Sequence, residues 1–190
     1  MEPYFMSKEI NHDTLRNDHL HEHWALGDTH HDIALTEFEW TIMRFFNAFE
    51  RCVVQMANME GSSNLNTQEV IILHVVSMQK VPQTSASLSR QLNRDDVANI
   101  QYTLRKLSTA GLTEKQKDPR GKTYTYKMTA LGTEHVKQYA NFRKVLLSDK
   151  TKIIDDIDKK LDDSRRFIGL LTGIYDEVAR ESPTYSLPNS

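Results

Sequence analysis

The stretch LNRDDVANIQYTLRKL, from Leu92 to Leu107, carries its chemistry on one side of a helix. Val97, Ile100, Leu104 and Leu107 recur at spacings of three, four and three residues, the period of a single buried face. Asn99, Gln101, Tyr102, Arg105 and Lys106 fall off that face. Amides, a phenol and two cations in one outward cluster suit a polar, negatively charged target. Asn and Gln can pair with adenine through two hydrogen bonds, and Arg and Lys can take guanine or phosphate. Upstream, SASLSRQL offers Ser85 and Ser87 with the backbone amides of a helix start, which can hold a phosphate oxygen. Downstream, DPRGK offers Arg120 and Lys122 at a hairpin tip, and narrow minor grooves attract arginine. These nine side chains are the candidate DNA-contacting set. Nothing in the chain supplies a catalytic nucleophile, a phosphate-binding loop or a substrate cleft. No catalytic residue, cofactor or metal is assigned, and the chain reads as a non-enzyme.

The charge distribution agrees with that reading. The formal net charge of the 190 residues is −2. Residues 1–60 hold 4 Lys/Arg against 11 Asp/Glu, whereas residues 85–127 hold 9 against 4. The positive charge thus gathers around the helix just described, where a polyanion is attracted locally. Charged residues at 26% and hydrophobic ones at 38% indicate a soluble globular chain. No apolar run approaches the roughly 20 residues needed to span a bilayer, and the N-terminus MEPYFMSKEINHD lacks an apolar signal core. No membrane partner and a reducing, cytoplasmic compartment are expected. The single Cys52 excludes an intramolecular disulfide framework, and its place beside an apolar stripe favours a buried structural thiol over a peroxide sensor.

The elements that must position these residues can be read from period and punctuation. Residues 1–32 form a polar, acidic, histidine-rich arm. From Ile33, the stripe Leu35, Phe38, Ile42, Phe45, Phe49, Val53 and Met56 predicts a long helix, broken at Gly61. A second helix begins at NTQEV, with Asn66 and Glu69 three residues apart as a capping box. QTSASLSRQL predicts a short third helix capped by Thr84 or Ser85. The turn NRD leads to the fourth, with Asp95 as its cap, and Gly111 ends it. LTEKQKD and KTYTYKM read as strands, with Tyr124 and Tyr126 packing on the inner face. A fifth helix follows Thr129 through TALGTEHVKQYANFRKVLL, and a sixth runs over 150–180 with a stripe from Ile154 to Val178. Residues 181–190 are a tail.

A short helix, a tight turn, a second helix and a basic hairpin make a winged helix–turn–helix. LNTQEVIILHVV, SASLSRQLNRDDVANIQYTLRKLSTAGL, DPRGKTYTYKMTALG and the long flanking helices together resemble the multiple antibiotic resistance regulators, the MarR family. The likeness covers roughly 33–180. It implies a mainly α fold: a winged helix at 65–129, with dimerisation helices at 33–60 and 130–180. It also implies a homodimeric transcription regulator, usually a repressor, on a pseudo-palindromic double-stranded operator.

Members of that family commonly respond to small molecules, often aromatic carboxylates. The residues placed for such an effector are Trp40, Arg44 and Phe45 on the first helix and His74 on the second. An aromatic wall with one arginine suits a planar acid. The alternative is that these aromatics fill the dimer core and Arg44 pairs with an acid. The arm HLHEHWALGDTHHD gathers histidines and carboxylates, but their spacing matches no closed metal site. An acidic arm packed across a partner subunit, anchored by Trp24, is the preferred role. Asp95, Asp96 and the short wing keep a second function open: a winged-helix protein–protein adaptor that does not read DNA.

Overall fold

The chain is described by a computed structural model that covers residues 26, 29–59, 64–117, 121 and 123–184. They fall into two compact units, one ending at Val70 and one beginning at Ile71.

In the first unit, helix α1 spans His30–Ala57. It starts three residues before the expected Ile33 because Thr29 and Asp32 form a capping box. The Thr29 hydroxyl accepts from the Asp32 amide at 3.1 Å, and the Asp32 carboxylate accepts from the Thr29 amide at 3.2 Å. Hydrogen bonds from Thr29, the hydroxyl's first, hold the Asp32 carboxyl below the ordinary range. At the other end, Asn58 clamps the chain to Leu65 with two hydrogen bonds of 2.9 Å. Asn66 and Glu69 then cap α2 (Thr67–Ser77) reciprocally, at 2.9 and 3.0 Å, as their spacing predicts. The α1 stripe is buried only at its C-terminal end, at Val53 and Met56. Phe45 is 66% exposed and Phe49 39%. Helical period alone places a face; it does not say what covers it.

The second unit holds the winged helix. Strand β1 (Gln83–Thr84) leads into α3 (Ser85–Gln91), followed by α4 (Val97–Thr109), β2 (Thr113–Lys117), β3 (Tyr124–Met128) and α5 (Ala130–Arg143). The sheet is antiparallel in the order β1-β3-β2, with Gln83 opposite Tyr126 and Thr113 opposite Met128. The short β1 is an addition to the two expected strands. Thr84 is extended because it is the N-cap of α3, and that same conformation lets it pair with β3. Leu88, Ile100, Leu104 and Leu107 are completely buried, with Leu73 and Leu112 beside them in the core. Each contributes on the order of 1.5–3 kcal/mol through the area it removes from water. Val97, expected in the same core, is only half-buried.

The turn between α3 and α4 carries Asn93 at φ 52 and is closed by the Arg94 amide on the Ser89 carbonyl at 3.0 Å. Asn93 also donates from its amide to both Asp176 carboxylate oxygens, at 3.2 and 3.1 Å. Gly111 takes φ 74 at the exit of α4, where the Leu112 amide reaches back to the Leu107 carbonyl at 2.9 Å. This is the left-handed helix exit that glycine permits. Thr129 ties this exit to α5. Its hydroxyl accepts from the Gly132 amide at 3.0 Å and donates to the Gly111 carbonyl at 2.6 Å. Thr129→Val keeps the shape and removes every hydrogen bond of the hydroxyl, so it should destabilise by about 0.5–2 kcal/mol. A urea melt followed by circular dichroism measures this; an unshifted midpoint would show that the threonine hydroxyl does not tie the two segments.

The expected fifth helix does not run unbroken to its predicted end. After Arg143 the backbone widens into a π-helical turn, Lys144–Ser148, followed by the single turn α6 (Asp149–Thr151). Asp156 at φ 53 then breaks the chain, and α7 begins at Ile157 rather than near 150, running to Glu181. None of the residues of α7 is buried. Of the expected tail, Ser182–Thr184 form a 3₁₀ turn, and residues 185–190 lie outside the described residues.

Candidate nucleic-acid interface

α3, α4 and the wing strands lie in the same unit, so their side chains can be placed against one another. α4 buries Ile100, Thr103, Leu104 and Leu107 and exposes Asn99, Gln101, Tyr102, Arg105 and Lys106. The outward cluster expected from the sequence is therefore on the surface together. The Lys106 ammonium sits 6.0 Å from the centre of the Tyr102 ring, at the outer limit for a cation over an aromatic face.

The start of α4 differs from expectation. Its N-cap is Asp96 rather than Asp95, and that carboxylate caps no backbone amide. It is engaged sideways instead. The Arg94 guanidinium grips it with two bonds, one of them Nε to Oδ1 at 2.8 Å, and the Asn99 amide donates to it at 3.2 Å. The Arg94 guanidinium keeps the Asp96 carboxyl below its usual range, and the carboxylate raises Arg94 in turn. An acid at the head of the helix would repel phosphate; here an adjacent cation neutralises it.

Ser85 and Ser87 are less available than their positions suggest. Ser85 is buried, and its hydroxyl accepts from the Gln101 side chain at 3.2 Å. The Ser87 hydroxyl donates to Gln83 at 2.7 Å, while its amide donates to the Thr84 cap at 3.1 Å. Gln101 thus bridges α4 to the start of α3. Arg120 and Lys122 at the wing tip lie outside the described residues.

Between the start of α3, α4 and the wing is a cleft of about 330 Å³ whose walls include Gln101, Arg105, Lys115 and Tyr124. No acidic residue is among the described side chains lining it. Sequence reasoning missed Lys115. Its ammonium lies 3.6 Å from the centre of the Tyr124 ring, which leaves Tyr124 half-exposed instead of packed inside the wing. The available signal was the Lys115–Lys117 alternation, which puts both cations on one face of a strand. Tyr126 does pack inside, at 5% exposure; burial raises its phenol, and the nearby Arg105 charge opposes this.

The residues placed for an effector divide between the units. In the first, Trp40 is half-buried, Phe45 lies 6.4 Å from the Phe49 ring, and Arg44 donates to Thr41 at 3.4 Å. In the second, the His74 ring meets the Tyr139 ring edge-on at 4.3 Å. Cys52 is half-buried. Among the described residues no group of three or more His, Cys, Asp or Glu could hold a metal ion. Most of the histidine arm, Trp24 included, lies outside them. No helix among them is long and apolar enough to cross a membrane.

Residues 65–132 match the family model of a winged helix DNA-binding domain. No curated protein matches the chain in sequence. Solved structures do match in fold. A MarR family transcription regulator superposes with TM-score 0.64 and 18% identity, over 80% of this chain and 97% of its own. A mutant MarR from E. coli complexed with operator DNA gives 0.60 and 16%, over 71% and 95%. The organohalide-sensing regulator RdhR-CbdbA1625 in its 2,4-dichlorophenol-bound form gives 0.58 and 18%, over 78% and 86%. At these identities the likeness is one of fold: the chain has the mostly helical, winged architecture of MarR family structures.

Proposed function

We propose that this chain is a DNA-binding transcription regulator of the MarR type, acting as a homodimer and most simply as a repressor. The observation that carries the reading is the outward set on α4. Asn99, Gln101, Tyr102, Arg105 and Lys106 stand exposed on the second helix of a helix–turn–helix, beside a cleft walled by Arg105 and Lys115. A helix of this kind enters the major groove with its polar side chains at the base edges, while wing cations such as Arg120 and Lys122 reach the flanking backbone. Ser85 and Ser87 serve as supports for Gln101 and Gln83 at least as much as phosphate ligands. The Arg94–Asp96 pairing removes one support of the adaptor alternative, because Asp96, one of the two acids that would repel DNA, is matched by a cation.

Dimerisation is supported by the terminal helices. On α7, Leu170 is 72% exposed and Ile174 57%, with Phe167, Tyr175 and Val178 also open. On α1, Met43, Phe45 and Phe46 are equally uncovered. Apolar surface on this scale marks an interface. A two-fold pair would present two reading helices to a pseudo-palindromic site. Leu170→Glu with Ile174→Glu should convert a dimer into monomers in sedimentation equilibrium; a wild-type chain already monomeric at micromolar concentration would exclude this part of the reading.

DNA binding is tested by fluorescence anisotropy on a duplex carrying the promoter region of the chain's own gene. Binding should weaken steeply as salt rises, because phosphate contacts displace counterions. No binding at low salt would end the proposal. An effector held by Trp40, Arg44 and Phe45 on α1 would be a planar aromatic acid. Benzoate and its larger analogues should lower DNA affinity by favouring one dimer conformation.

A further inference from the structure

The exposed side chains of α4 do not share one flank. An α-helix turns about 100° per residue, so Gln101 stands about 200° from Asn99, on the other side of the rod. Arg105 follows Gln101 by four residues and lies on its flank. Both line the cleft that α4 shares with the start of α3 and the wing, where no described lining residue is acidic. Asn99 belongs to the opposite flank, beside the Asp96 carboxylate to which its amide donates at 3.2 Å. Gln101 is held from a different element. Its Nε2 donates to the Ser85 hydroxyl at 3.2 Å. Ser85 is buried in the first turn of α3, and Thr84 caps that turn by accepting from the Ser87 amide at 3.1 Å. The backbone that carries the Ser85 hydroxyl is therefore fixed.

We propose that Ser85 is a positioning residue for base recognition: it holds the Gln101 amide on the flank shared with Arg105, so that Gln101 reads adenine and Arg105 reads guanine at neighbouring steps. The assignment rests on the proposed function. A primary amide carries two N–H groups and one carbonyl oxygen. One N–H goes to Ser85. The other N–H and the oxygen remain, a donor and an acceptor that match the N7 acceptor and N6 amine of adenine. Arginine matches the O6 and N7 acceptors of guanine. Ser85 itself touches no base. It fixes one rotamer of a long side chain that would otherwise be ordered only on binding, at a cost to affinity. A phosphate contact suits Ser85 less well, because its hydroxyl is buried and already accepts from Gln101.

The spacing of the two side chains sets the spacing of the bases. An α-helix rises about 1.5 Å per residue, so Gln101 and Arg105 are about 6 Å apart along the axis. Successive bases of a strand are about 3.4 Å apart. With α4 lying along the major groove, each half-site holds an adenine and a guanine one or two steps from one another.

Selection from a library of randomised duplexes, followed by sequencing, tests this on the full chain and on its Gln101→Ala, Arg105→Ala and Ser85→Ala variants. The wild type should enrich half-sites with that adenine and guanine. Gln101→Ala should lose the preference for the adenine alone, and Arg105→Ala that for the guanine alone. Ser85→Ala should keep the guanine and weaken the preference for adenine roughly 2- to 10-fold. Replacing the adenine by 7-deazaadenine, which lacks the N7 acceptor, should weaken anisotropy binding of the wild type and leave that of Gln101→Ala unchanged. A Ser85 that merely supports the fold gives another pattern: enrichment falls at every position together, with a lower melting temperature. That pattern, or a Ser85→Ala motif identical to the wild type's, overturns the positioning role. A wild-type motif without an adenine and a guanine within two steps overturns the assignment of bases, while the DNA-binding reading stands. If the wild type enriches no sequence and binds no duplex at low salt, the DNA-binding reading fails and the inference falls with it.

Discussion

Gly132→Ala should destabilise the winged-helix unit by at least about 3 kcal/mol, the upper end of what overpacking costs. A Cβ at this position would overlap the Leu112 carbonyl oxygen and stand 2.9 Å from both the Leu112 carbonyl carbon and the Met128 Cε. The methionine end can move away. The carbonyl cannot easily do so, because it accepts from the Thr129 amide at 3.2 Å and the Thr129 hydroxyl at 3.1 Å. Moving Leu112 would also disturb the Gly111 exit of α4, and with it the seating of that helix. Gly169→Ala on α7 provides the contrast. Nothing lies within 4 Å of its would-be Cβ, so alanine's better helix propensity should leave stability unchanged or raise it by up to about 1 kcal/mol. Chemical denaturation of the two variants beside the wild type makes the comparison. A Gly132→Ala chain that unfolds at the wild-type midpoint would mean that the close approach of α5 to Leu112 is not a feature of the folded protein.

Arg105→Ala should weaken specific DNA binding by about 1–3 kcal/mol, roughly 5- to 150-fold, as expected for a side chain that reaches a base edge. The residue is exposed on α4 and walls the cleft between that helix and the wing. Arg105 and Tyr126 line the same cleft, and the guanidinium charge opposes the rise that burial gives the Tyr126 phenol. Lys106→Ala should behave differently. Without the ammonium to meet a phosphate, binding weakens on all duplexes alike and the salt slope falls by about 1. Anisotropy titrations at several salt concentrations, on the cognate duplex and on one with a scrambled sequence, resolve the two patterns. Equal affinity of the wild-type and Arg105→Ala proteins for the cognate duplex would remove Arg105 from the site.

Local features were the most legible part of this chain. The capping boxes at Thr29–Asp32 and Asn66–Glu69 are short-range hydrogen-bond patterns, and the second was evident from residue type and spacing alone. The buried set Ile100, Leu104 and Leu107 followed from helical period. Gly111 and Thr129 marked a helix end and a helix start for reasons of backbone conformation and capping. Where two local signals compete, residue order alone does not choose between them. Asp95 and Asp96 are adjacent potential caps, and Arg94 decided between their roles by drawing Asp96 sideways. Strand β1 is too short to carry a period of its own. The break around Asp156 falls in a run, IIDDIDKK, whose apolar residues continue a helical pattern that the left-handed backbone interrupts.

From its amino acids alone, this protein is determined to be mainly helical, to carry a winged helix–turn–helix, and to turn amides, a phenol and two cations outward from one helix. Period, capping and turn chemistry act over a few residues, so the order of letters is enough to read them. Only the tertiary structure decided which of those groups stay available. The binding of Gln101 to Ser85, the stacking of Lys115 on Tyr124 and the crowding of Gly132 by Leu112 all join segments distant along the chain. Such contacts arise when separate elements pack, and no local pattern records the distance at which they do so.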